Sequence, residues 1–427
     1  MSEKKLAKIF YADVWGLREE KYKYLFENDV LTTQWQELEP FAPYWFFVPK
    51  DFALQAEYEK FWKVTDIFKE WSSGVKTHRD HFVVGFSKEE LIQRLRIFTG
   101  KLPDELVAQS LDLKDTGSWK LSEARQKIKE QKPKDKIYTY AYRPFDTRWI
   151  CYESLLIDRD RWPFMGYLQK ENISLVTTRI LSGPPFFHTF ISNFLSDICL
   201  ISIKTKETSY FFPLYLYPDE SVGTIHELPL RNKSQPIRIS NFTPEFLRTF
   251  SVQIGTPVGA EVAPTPEEIF YYIYAVLYSP TYRKRYEEFL KIDFPRVPLP
   301  SSHDVFRELS NLGKELVDLH LLKHTELEKT EVGFPISGSN KVEKVSHAEE
   351  DQRVFINKEQ YFDGISNELW EYRIGAYQVM EKYLKDRKGR KLSLDEINHY
   401  MKVAKAIQLT IELQEKIDSV YKKKCFG

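Results

Sequence analysis

Hydrophobic positions along the 427-residue chain change period near residue 260. Upstream, short β-branched and aromatic runs are separated by turn residues, which predicts strands at Lys136 to Tyr142, Trp149 to Cys151, Ile173 to Thr178, Phe186 to Ile191, Cys199 to Ile203 and Tyr210 to Tyr217. Helices are predicted from Ser87 to Thr99, Pro103 to Leu111 and Leu121 to Gln131. Without regular helical crossovers between strands, this half reads as an α+β unit over residues 66–260. From Thr265 the 3.6-residue period takes over. Thr265-Pro266-Glu267-Glu268 supplies a cap, a proline at the first position and a glutamate three residues after the cap. Ser279-Pro280 restarts a helix to about Leu290, and Val305 to Leu322 places Phe306, Leu309, Leu312, Leu316 and Leu319 on one face. The charged stretch from His324 to Asp351 reads as a surface excursion or partly disordered. A small hairpin from Arg353 to Phe362, a helix from Ser366 to Lys385 and a final capped helix from Ser393 follow.

The first 65 residues are different. A short strand, Ile9 to Trp15, a charged helix, Arg18 to Asn28, and the run FAPYWFFVP look like the edge of something larger, because two or three strands alone are marginal. The expected organisation is a junction segment over 1–65, an α/β subdomain over 66–260 and a helical subdomain over 261–427.

Composition narrows the function. A hydrophobic content of 42% supports sizeable cores, and a formal net charge of zero confines attraction for a polyanion to local patches. Cys151, Cys199 and Cys425 lie far apart without metal-ligand spacing, which fits a reducing cytoplasm. The N-terminus MSEKKLAKIF lacks the apolar core of a signal peptide, and no run of eighteen apolar residues occurs.

Motifs for catalysis are weak. Pro103-Asp104 followed by Asp112-Leu113-Lys114 has the loose spacing of a metal-dependent nuclease, but lies on a helix and its exit rather than a hairpin. His320 and His324 have the four-residue spacing of a zinc pair without the accompanying glutamate, and His320 shares a face with Leu316 and Leu319. Gly183-Pro184-Pro185-Phe186 lacks the amide or carboxylate that would hold a flipped adenine. Recognition chemistry remains. A flexible glycine, Gly74, precedes Lys76, Thr77 and Arg79; Arg143, Arg159, Arg161 and Arg179 add guanidinium groups, and Lys204 and Lys206 extend the basic series. Arg148 reads equally as a base contact or as an ion pair with Asp146. The basic run LKDRKGRK reads as a backbone contact or an ordinary connection.

At SSGVKTHRD (72–80), YRPFDTRW (142–149), FFPLYLYPD (211–219), the run PEEIFYYIYAVLYSPTYRKRYEEFLKIDFPRVPLP (266–300), LGKELVDLHLL (312–322) and the stretch from 354 to 393, the chain resembles the C-terminal specificity region of Type ISP single-polypeptide restriction-modification enzymes. The resemblance implies an α/β recognition subdomain followed by a helical one, and selection of duplex DNA for an adenine-N6 methyltransferase and an ATP-driven translocase. S-adenosylmethionine, ATP and Mg²⁺ would then belong to modules outside this chain, supplied in cis or in trans, and the chain alone would be no enzyme. YADVWGLREEKYKYL and PYWFFVP resemble the passage out of the methyltransferase. Either a truncated gene product or a separately encoded recognition subunit fits. The rivals are a small nuclease built on Asp104, Asp112 and Lys114, and a scaffold whose aromatic surfaces dock a methyltransferase.

Overall fold

The computed structural model describes residues 7–42, 44–128, 131–162, 164–183, 185–204, 207–218, 238–256 and 263–425. The chain divides into two compact units, Met1–Glu57 and Tyr58–Gly427. In the first, the strand Ile9–Tyr11 pairs antiparallel with Gln36–Leu38. Its helix, Arg18–Glu27, buries no residue. Glu20 still caps it by accepting from the Leu17 N–H at 2.7 Å.

The second unit is a mixed α+β fold around two four-stranded sheets. The first runs in the order Leu195–Ser196, Ile137–Arg143, Asp146–Cys151, Val84–Gly85, antiparallel except for the parallel pairing of Leu195–Ser196 with Ile137–Arg143. Leu91, Leu95 and Phe98 recur at helical spacing and are buried, so the helix Lys88–Thr99 packs against this sheet. Ser87 caps that helix, accepting from the Glu90 N–H at 3.2 Å. The second sheet is wholly antiparallel, in the order Ser72–Ser73, Tyr210–Pro213, Ser174–Thr177, Thr189–Ser192.

Downstream, the capping box at Thr265 opens the helix Pro266–Tyr278, and Ser279 caps the next, Pro280–Arg285, as the sequence predicts. That second helix stops at Tyr286 and a separate turn, Glu287–Leu290, follows. Helix His303–His320 lies along Pro266–Tyr278, and the closing helix Leu394–Cys425 packs on both. Gly313 sets the first contact: a Cβ there would stand 2.0 Å from the Tyr271 carbonyl oxygen, so any side chain must push the two helices apart. Gly313→Ala is therefore expected to destabilise the chain by about 3 kcal/mol, an overpacking cost in a tight core. A urea midpoint equal to wild type would show that the helices have slack.

Three segments differ from the sequence reading. Cys199–Ile203 forms a turn rather than a strand. Leu200 and Ile201 are buried, yet the Ile201 carbonyl accepts from the Ala376 N–H at 2.9 Å and the Cys199 carbonyl from the Tyr377 hydroxyl at 2.9 Å, so these backbone groups are held outside any ladder. The helix expected over 366–385 is broken into Asn367–Glu371 and Val379–Lys385 by a hairpin, Arg373–Ile374 with Tyr377–Gln378. Gly375 turns that hairpin at φ +60°, where its N–H donates to the Phe187 carbonyl at 2.7 Å. The 324–351 stretch is tied down, with Val342 fully buried and Gly333 bridged to Asp363. Its end, Ser346–Ala348, adds a third strand to the expected hairpin, now Arg353–Phe355 and Tyr361–Asp363.

The tight turn of the first sheet joins the α/β and helical parts of this unit. Arg143 pairs with Asp146 across Pro144 and Phe145. Phe145 sits at φ +59°, a conformation costly for a side chain with a Cβ. Packing offsets the cost: its ring lies 5.3 Å from Phe190 and 5.8 Å from His320, and its carbonyl meets His399 Nε2 at 2.6 Å.

Candidate nucleic-acid interface

Antiparallel register places three strand ends together. Ser73 lies opposite Tyr210, and Tyr210 opposite Thr177, so the chain leaves the second sheet at one end through Gly74, Ser209 and Thr178. The Gly74 N–H donates to the Ser209 carbonyl at 3.2 Å. At that end emerge the 74–80 turn, the 199–204 turn and the 178–183 loop. Neighbouring strands stand about 4.8 Å apart, so the outer two of these exits lie within about 10 Å. Lys76 exchanges both backbone hydrogen bonds with Arg159, at 3.0 and 2.9 Å, which brings the 158–161 segment to the same region.

The cations there fall into two groups. Arg159, Arg179 and Lys204 point outward, with side chains 59%, 58% and 56% exposed. Each leans on one acid without being buried by it: Asp158 at 3.8 Å, Asp293 at 3.2 Å and Glu207 at 3.8 Å. Lys76 and Arg161 are half-buried, and the Arg161 Nε is enclosed without a partner. Lys206 lies outside the described residues.

Thr77, Arg79 and Arg143 do not form the surface. Thr77 is buried and its hydroxyl donates to Asp80. The Arg79 guanidinium stacks 4.3 Å from the Trp119 ring and donates to the Leu156 carbonyl at 3.0 Å. Burial lowers its pKa, with Asp158 opposing. Arg143 is buried and donates to Asp197 at 3.0 Å. Burial works against its charge, but the Asp197 carboxylate and, in smaller part, Tyr377, Tyr142 and Cys199 together outweigh burial and raise the guanidinium pKa above its ordinary value. These three residues brace the turns from beneath, so they are corrected from contact residues to supports.

Arg148 resolves as an ion pair. It donates to Asp146 at 2.7 Å and to Asp386 at 3.0 Å, while its guanidinium lies 3.8 Å from the Tyr142 ring. From the LKDRKGRK run, Arg387 reaches the other oxygen of Asp146 at 2.9 Å, and Arg390 reaches Glu90 at 2.9 Å. Arg148, Arg387 and Arg390 all approach the Phe86 ring, at 4.4, 5.0 and 3.9 Å.

Glu207 is a support that sequence reasoning missed. Fully buried, it accepts from the Ser182 N–H at 2.8 Å, the Ser202 hydroxyl at 2.6 Å and lies 3.0 Å from His188 Nε2. Burial disfavours its charge, but these hydrogen bonds prevail and hold the carboxyl well below the usual range. No local motif announces it: Ser202 lies five positions away, but Ser182 and His188 stand 25 and 19 positions upstream, in the connection before Thr189–Ser192.

The nuclease residues do not assemble. Asp104 is paired with Arg125, and Asp112 follows the intervening helix at φ +47°. His320 is buried between the Tyr274 hydroxyl at 2.6 Å and Thr410 Oγ1 at 3.0 Å; burial pushes its pKa down to about 3, leaving a neutral core imidazole. Among the described residues no group of three or more His, Cys, Asp or Glu side chains is placed to hold a metal ion.

Residues 66–416 match the Type ISP C-terminal specificity domain. The chain belongs to that family. Solved structures carry the same fold as this specificity domain. A nuclease-deletion mutant of the Type ISP restriction-modification enzyme LlaGI, in complex with a DNA substrate mimic, superposes with a TM-score of 0.69 at 21% identity, covering 96% of this chain and 33% of that one. The ATP-dependent Type ISP enzyme LlaBIII bound to DNA gives 0.67 at 21% identity, covering 90% and 25%. A DrdV–DNA complex gives 0.71 at 20% identity, covering 93% and 42%. The specificity domain thus spans a quarter to two fifths of the length of these proteins. No curated protein matches the chain.

Proposed function

We propose that this chain is a target-recognition module that binds duplex DNA in a sequence-specific manner and presents it to a restriction-modification enzyme. The observation that carries the reading is the convergence of Arg159, Arg179 and Lys204, outward-facing and weakly paired, at one end of the second sheet of a Type ISP specificity domain. Lys76 and Arg161 complete the contact set, and Lys206 belongs to it by sequence. Phosphate contacts from these side chains fix register, while arginines reaching base edges supply specificity. Solved relatives bound to DNA support the assignment.

The first unit supplies a partner surface. Trp15, Phe26, Leu31, Trp45 and Phe47 are each more than half exposed there, and large apolar side chains in water suit a protein partner. A methyltransferase or translocase module, in cis or in trans, is the partner this reading assigns to it. S-adenosylmethionine, ATP and Mg²⁺ would be held by that module, and the chain would perform no catalysis alone. The setting is the cytoplasm, where DNA is accessible. Among the described residues no helix is long and apolar enough to cross a membrane.

Fluorescence anisotropy with a labelled duplex across a salt series tests the binding. With about five phosphates neutralised, the log-log slope is expected near −4 to −5. A slope near zero contradicts DNA binding by the chain.

A further inference from the structure

The two loops that carry Arg179 and Lys204 also expose apolar side chains. In the 178–181 loop Thr178 and Leu181 are buried, while Ile180, beside Arg179, is 38% exposed. In the 199–204 turn Leu200, Ile201 and Ser202 are buried, and then Ile203, beside Lys204, is 65% exposed. A single exposed isoleucine is unremarkable on a protein surface. Here two stand on neighbouring loops, each adjacent in sequence to an outward cation.

The loops are fastened to each other. The two oxygens of the buried Glu207 carboxylate accept from Ser182 and Ser202, at 2.8 and 2.6 Å, so the donor atoms of the two loops lie within about 8 Å. Each loop has a second anchor. The Leu181 N–H donates to the Lys291 carbonyl at 3.0 Å, and the Ile201 carbonyl accepts from the Ala376 N–H at 2.9 Å. Ile180 and Ile203 therefore stand on backbone that is already ordered, and little conformational entropy is lost when they meet a ligand.

We propose that Ile180 and Ile203 form an apolar wedge that enters a base step of the bound duplex, with Arg179 and Lys204 on the flanking phosphates. The proposal rests on the DNA-binding reading and extends it. Unstacking one step is costly, and burying an aliphatic side chain that was in water offsets part of that cost. A wedge therefore discriminates by how easily a step opens. Weakened pairing lowers the opening cost, so mispaired DNA is the diagnostic probe.

The test uses the 427-residue chain and two labelled duplexes of one length, fully paired or with a central run of mispaired bases. Wild type is expected to bind the mispaired duplex about fivefold or more tightly than the paired one. Ile180→Ala/Ile203→Ala is expected to bind both within about twofold of each other, with the salt slope on the paired duplex retained because Arg179 and Lys204 still meet the phosphates. Ile203→Phe, which keeps an apolar wedge, should retain the preference. If wild type shows no preference, or the double alanine variant keeps it, the wedge is overturned while DNA binding stands. If wild type binds neither duplex in a salt-sensitive way, the DNA-binding reading falls and the wedge with it.

Discussion

Asp146→Ala is expected to destabilise the second unit by about 3–5 kcal/mol, the cost of leaving buried charge uncompensated. Asp146 is 2% exposed and sits between two guanidinium groups, Arg148 at 2.7 Å and Arg387 at 2.9 Å. Arg387 is itself only 3% exposed. After truncation it keeps Glu396 at 3.0 Å and the Tyr383 carbonyl at 3.1 Å, but loses the acid that links the first sheet to the helical part. A domain is stable by only about 5–15 kcal/mol, so the loss should be plain in a urea or thermal transition. An exposed pair would cost less than about 1 kcal/mol, and a shift that small would show that the network is ornamental. The pH dependence has a definite sign. Burial disfavours the Asp146 carboxylate, but Arg387 and Arg148 outweigh burial and hold its pKa below the ordinary value. Its stabilisation is therefore complete above the unfolded-state pKa, about 3.9, and is lost as pH falls through the lower folded value. The stability gap between wild type and Asp146→Ala should persist at about pH 5 and begin to close below about pH 4.

Reversing the three outward cations, as Arg159→Glu/Arg179→Glu/Lys204→Glu, is expected to lower affinity for duplex DNA at least about a hundredfold at moderate salt. Neutralising three phosphate contacts removes about 2.7 from the magnitude of the log-log slope, and the added carboxylates repel the backbone further. Folding should be little affected, because each of these cationic side chains is more than half exposed and stands 3.2 to 3.8 Å from its acid, a loose pairing screened by water. The contrast with Asp146 is the useful one: one variant should unfold more easily, the other should fold normally and fail to bind. An unchanged salt slope in the folded triple variant would move the DNA surface elsewhere on the chain.

How much of this was legible in the sequence follows from the range of each interaction. Helix starts at Ser87, Thr265 and Ser393 depend on residues three apart, and the structure places helices there. The pairing of Arg148 with Asp146 was visible at a spacing of two. Its third member, Arg387, lies 241 positions from Asp146, and no local pattern could join them. The apolar run Cys199–Ile203 mimicked a strand because burial, not pairing, selects its residues. What holds it is a hairpin from 373–378 that sequence periodicity merged into a helix. Candidate cations were recognised by type, yet type does not report exposure. Arg79 and Arg143 carry the same charge as Arg159 and Arg179 and turn inward, toward Trp119 and Asp197. Ile203 was hidden at the end of a run that read as a strand, and Ile180 fell between two predicted strands, where no pattern singled it out.

The central claim, that this chain selects a DNA sequence, is tested most directly by exposing the purified protein to a random duplex library at near-physiological salt and sequencing what remains bound. Enrichment of one short word, lost in the Arg159→Glu/Arg179→Glu/Lys204→Glu variant, is the predicted result. Retention of duplexes without any enriched word would contradict it, and would assign specificity to the chain only in company with a methyltransferase module.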